Sequence, residues 1–176
     1  MEQVNQEAVT RERGEKLLTG WQHGLRTLQN GHFMAAGYYG FIAKALGVPV
    51  VIGSSLVSSA VFSTLGESEY DQKLKMTAGI ISIAVTIFSS LQTFLGFAER
   101  STHHKQAAVG YGSLRTESQV LLVGLGELSV LPSKLDSIRS RWSKLDEDAP
   151  TLKESFVTKA KKKCERDDVK KPILFS

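Results

Sequence analysis

Two long stretches without a single charged side chain constrain this chain more than any other feature. Ala45 to Gly66 gives 22 uncharged residues, and Met76 to Ala98 gives 23 more. At a rise of about 1.5 Å per residue, each helix would reach across a hydrocarbon core of about 30 Å. Between them lies ESEYDQKLK at 67–75, with three acids and two lysines, a segment that belongs in water or among headgroups. Two runs of spanning length joined by so short a polar turn predict a transmembrane helical hairpin. The soluble alternative is a pair of buried core helices. The serine and threonine content of both runs keeps it in play.

The overall balance of charge decides little. A net charge of +4 and a pI near 9.2 suit a protein beside anionic lipid or one touching nucleic acid. The lone Cys164 has no partner for an intramolecular disulfide. The first 16 residues are mainly polar, so no secretory signal is visible and insertion falls to the internal segments. Residues 99–176 carry fifteen Lys/Arg against eleven Asp/Glu, whereas the 67–75 turn nets −1. With Arg26 and Lys44 on one flank and Arg100 and Lys105 on the other, the positive-inside rule puts both termini in the cytosol. The expected location is the inner cell membrane, crossed twice, with membrane lipid as partner.

Inside the spans, hydroxyls fall in stripes. Ser55, Ser59 and Ser63 repeat every four residues, and Ser82, Thr86, Ser89 and Thr93 recur at spacings of three or four. One or two such hydroxyls would bond their own helix and mean little. A stripe along each helix fits either close helix packing or, in an oligomer, the lining of a water-filled path. Packing is the simpler reading of the stripe alone.

The flanks read as helices with apolar seams. Leu17 or Leu18, Trp21, Leu25 and Leu28 form an amphipathic stretch within an N-terminal segment, 1–44, that Gly31 is expected to interrupt. Trp21, Tyr38 and Tyr39 read as interface aromatics or helix-packing anchors. Beyond the hairpin (45–98), the region 99–166 is expected to be helical and cytosolic. Tyr111, Leu114, Leu121, Leu125 and Leu128 follow a coiled-coil spacing, and after Pro132 it resumes with Leu135, Ile138, Trp142 and Leu145. That seam must be buried against the N-terminal helix or against neighbouring copies. A last amphipathic stretch covers about 151–166, and 167–176 is read as a basic tail.

No site of catalysis emerges. Gly124-Leu125-Gly126 lacks both the preceding strand and the third glycine of a dinucleotide fingerprint. His103 and His104 are adjacent on a helix and point different ways, so a metal site with Glu99 is disfavoured and both are read as solvated. His23 and His32 stand alone. Lys161, Lys162 and Lys163 suit anionic lipid better than nucleic acid. The chain is read as a non-enzyme with no cofactor and no metal.

The arrangement resembles the SLATT family of two-transmembrane effector domains from prokaryotic conflict systems. The likeness covers residues 10–165. Its elements are the Trp21 helix, the Tyr39 region leading into LGVPVVIGSS, the second span ending LQTFLGFAER, its continuation STHHKQAAVGYGSLRTE, and LDEDAPTL at 145–152. These are diffuse helical patterns, not a catalytic signature. The resemblance implies an all-α membrane protein that oligomerises and permeabilises the membrane in abortive-infection defence. Family members occur beside nucleotide-signalling enzymes or sensors. No such domain is fused here, so a separate sensor, or residues 99–176 themselves, would supply the trigger. The competing expectation is a non-conducting scaffold anchoring a partner through its cytosolic helices.

Overall fold

The computed structural model describes residues 2–64, 72–123 and 131–169, with side chains described from residue 11 onward. Among these residues every regular element is a helix: α1 (Glu2–Thr64), α2 (Gln72–Leu95), α3 (Phe97–Val123), α4 (Leu131–Asp148) and α5 (Glu154–Val169). The all-α expectation therefore holds. The turn at 67–71, the side chain of Ser63, Leu125, Leu128 and the tail beyond 169 lie outside the described residues.

Two compact units share the chain. One comprises residues 1–36 and 102–176, the other residues 37–101. In the first, α1, α3 and α4 enclose a core of Leu25, Ala107, Tyr111, Leu114 and Ile138, flanked by Trp21, Leu28, Trp142 and Leu145. A smaller cluster joins Leu18 and Leu131, with Leu121, Leu122 and Leu135 packed on it. The spacing of these residues at three and four dictates which stripe each helix buries. Trp21 and Trp142 meet edge to face, with centroids 6.1 Å apart. The C-terminal end of α5 is pinned by Arg26, which binds Asp168 and lies 3.5 Å from Asp167.

Three boundaries differ from the sequence reading. Gly31 does not interrupt α1. Leu152 Cδ2 occupies the place where a side chain at residue 31 would begin, 2.6 Å from an ideal Cβ. The interior-glycine cost of about 1 kcal/mol is met by that close packing. The second span, read as 76–98, is not one helix: α2 ends at Leu95, Gly96 takes φ 56°, and α3 begins at Phe97. Glycine adopts that left-handed conformation without a Cβ clash. Arg100 N–H then donates to the Gly96 carbonyl at 3.0 Å, opening α3. Finally, α5 runs to Val169, so Asp167 and Asp168 are helical and not the start of a tail.

Candidate functional site

In the unit 37–101, the last part of α1 packs against α2 through small residues. An ideal Cβ on Gly53 would lie 2.5 Å from Val85 Cγ2, and one on Gly47 would lie 3.1 Å from the Gln92 amide nitrogen. At Gly53, against the branched Val85, only glycine permits that approach. Gly47 meets residue 92 and Gly53 meets residues 81 and 85, so the two helices run antiparallel. Tyr39 is buried against Phe97, ring on ring at 6.2 Å, and Tyr38 meets Tyr39 edge to face.

The rest of this unit's surface is apolar and open. Val48, Val51, Ile52, Leu56 and Val61 on α1 are exposed, as are Met76, Ile80, Ile83, Ile87, Leu91 and Phe94 on α2, the last to 87 %. Two helical stretches are long and apolar enough, by length and composition, to cross a membrane. A core helix of a water-soluble domain would have this surface covered.

The hydroxyl stripes face outward with it. Ser55, Ser59, Ser82, Thr86, Ser89 and Thr93 are all exposed. Ser55 donates to the Val51 carbonyl and Ser59 to the Ser55 carbonyl, each at 2.9 Å, while Thr86 donates to Ser82 and Thr93 to Ser89, at 2.9 and 3.1 Å. On a helical wheel, Ser55 and Ser59 lie opposite the Gly53 face, so they do not mediate the α1–α2 contact.

The seam residues have a different fate. Tyr111, Leu114, Leu121, Leu135, Ile138, Trp142 and Leu145 pack against one another and against Leu18, Trp21, Leu25 and Leu28 of the same chain. Of the two destinations open from sequence, the N-terminal helix is the one observed. Within one chain the described seam side chains are thus covered by α1 and by one another. Trp21 belongs to this packing too.

Sequence reading missed a buried histidine pair. His32 of α1 and His104 of α3 are 2 % and 4 % exposed, with Nδ1 atoms 3.0 Å apart. The expectation of a solvated His104 is thereby corrected: it lies on the buried Ala107–Tyr111–Leu114 face of α3. His103, its neighbour, is exposed. Tyr111 stacks near His32 at 5.3 Å and donates its hydroxyl to Asp146 Oδ1 at 2.7 Å. Burial, then His104, holds the His32 imidazole down at about 4, with Asp146 opposing; burial, then His103, lowers His104. Burial and the bond to Asp146 push the Tyr111 phenol above its usual range. The overlooked signal was spacing: Leu18, Leu25 and His32 recur every seven residues. Cys164 is also buried, with the Asn30 amide 3.3 Å from its sulfur. Among the described residues, no group of three or more His, Cys, Asp or Glu side chains is placed to hold a metal ion. Comparison with protein-family models, curated proteins and solved structures gives no match.

Proposed function

We propose that this chain is a two-span inner-membrane protein. Residues 45–66 and 76–98 form a transmembrane hairpin with both termini cytosolic, and copies associate to permeabilise the membrane in antiviral, abortive-infection defence. The observation that carries the membrane part is the open apolar surface of the unit 37–101, which water would penalise by about 25 cal/mol for each Å². The defence role rests on the resemblance to the SLATT family, with a separate sensor or nucleotide-signalling partner as trigger. Association is assigned to the faces of the spans. The outward Ser55–Ser59 and Ser82–Thr93 stripes are small enough to let helices of neighbouring copies approach, and they offer hydroxyls to a conducting path.

The test is dye or ion leak from liposomes carrying the purified chain, alongside its oligomeric state in detergent. Ser59→Leu and Thr86→Leu are expected to abolish leak while preserving the oligomer. Unchanged conductance across the whole stripe sinks the assignment of the pathway.

One observation favours a second reading. The stripe hydroxyls Ser55, Ser59, Thr86 and Thr93 each bond a carbonyl of their own helix and so are satisfied in lipid without neighbours. A non-conducting scaffold needs no more than that. It predicts no leak under any trigger, and loss of a partner when the exposed Lys161 and Lys162 of α5 are reversed to Glu.

A further inference from the structure

The contact between α1 and α3 follows a regular register. Leu18, Leu25, His32 and Ala35 are buried on α1, and His104, Ala107, Tyr111, Leu114 and Ser118 are buried on α3. Leu25 packs in one cluster with Ala107, Tyr111 and Leu114, while Leu121 and Leu122 pack where Leu18 lies. The helices are thus antiparallel, with an apolar seam interrupted where two imidazoles face each other. At 3.0 Å their Nδ1 atoms share one proton: one ring donates its Nδ1–H and the other accepts.

The surroundings are sparse in charge. Asp146 of α4 is the anionic group that acts on His32, and its carboxylate already accepts the Tyr111 hydroxyl. On α3 the ionisable neighbours are Tyr111 and His103. Beside His32, at Gly31, Leu152 and, on α5, Ala160 close the position with methyl groups and no ionisable atom.

We propose that His32 and His104 form a proton-sensitive clasp between α1 and α3, closed while both rings are neutral and opened by acid. A first proton, taken at the free Nε2 of the donating ring, leaves the hydrogen bond in place but charges a buried ring. A second, at the accepting Nδ1, sets two N–H groups against each other at a distance that only a hydrogen bond tolerates. Either proton buries a cation while the Asp146 carboxylate that acts on His32 already accepts the Tyr111 hydroxyl. Both folded-state values lie below the ordinary histidine value of 6.5, so the unfolded or opened form binds more protons. The clasp's contribution is complete above about pH 6.5 and is lost as pH falls toward about 4.

Its place in the chain gives the clasp a consequence. His32 lies five residues before the apolar unit begins at Gly37, and His104 three residues after it ends at Ser101. Both helices continue into that unit. On the membrane reading above, on which this consequence rests, acidification of the cytosol loosens the α1–α3 contact that precedes the first span and follows the second.

The experiment uses the full chain in lipid nanodiscs. Ring-nitrogen NMR of ¹⁵N-histidine between pH 7.5 and 4.5 reads the tautomers and protonation of His32 and His104. Amide exchange over 25–36 and 104–114, corrected for its intrinsic pH dependence, reads opening. The expected result is one Nδ1–H ring paired with one accepting ring, both neutral at pH 6, and exchange rising at least about tenfold between pH 7 and 5. His104→Phe keeps an aromatic ring in the seam and is expected to flatten that pH dependence. Both imidazoles titrating near 6.5 with unchanged exchange would overturn the proposal. So would a folded His104→Phe chain that keeps the native pH profile. Should the variant fail to fold, the native spectra alone decide. Liposome leak is a separate readout: a clasp that opens in a chain that never leaks refutes permeabilisation alone, and leak with no acid-opened clasp refutes the clasp alone.

Discussion

The unit formed by 1–36 and 102–176 and the unit 37–101 are both helical, yet they treat apolar side chains in opposite ways. The first buries Leu18, Leu25, Leu114 and Ile138 to 4 % exposure or less and keeps lysines and acids outside. In the second, fourteen of the nineteen large hydrophobic side chains found exposed are displayed, while glycines occupy the contact between helices. That inversion separates a body folded for water from a pair of helices suited to lipid. Small residues draw helices together where no hydrophobic driving force acts between them.

The contrast predicts how the same substitution fares in each unit. Leu25→Ala should cost about 2–5 kcal/mol, because it opens a cavity in a sealed core. Leu56→Ala, at an exposed position, should leave thermal unfolding in detergent nearly unchanged. Equal costs would break the comparison. Ile83→Asp should impair membrane insertion by about 3 kcal/mol on the scale for a charge near a helix centre, read as protein lost from carbonate-washed membranes. Val109→Asp, exposed on α3, should insert normally. At the helix contact, Gly53→Ala should destabilise by about 1–3 kcal/mol through overpacking against Val85, and Val85→Ala should rescue it. Gly79→Ala, where a Cβ meets nothing within 4 Å, should be neutral or stabilise by about 0.5–1 kcal/mol.

How much of this was legible depends on what periodicity encodes. The two uncharged runs give length and apolarity directly, so the apolar helices could be read without a structure. The seam from Tyr111 to Leu145 gives a face but not its partner. Within the chain, the matching stripe on α1 at Leu18, Trp21, Leu25 and Leu28 fills it, and only folding brings residues 25 and 114 together. Gly31 was misread because glycine signals a break only where nothing rewards its small size, and Leu152 does so here. Gly96 was missed for the opposite reason, since it sits amid apolar residues that look continuous with the span. The histidine pair escaped notice because its members are 72 positions apart and each seems solitary in sequence.

Spin labels at residues 56 and 120, each in a Cys164→Ala background in liposomes, would compare access to oxygen, which enters lipid, with access to a water-soluble nickel chelate. Both native side chains are exposed apolar residues, Leu56 in one unit and Val120 in the other. The account predicts that the label at 56 is reached by oxygen and shielded from nickel, and that the label at 120 shows the reverse. Equal access of nickel to both labels would contradict it, leaving the apolar helices in water.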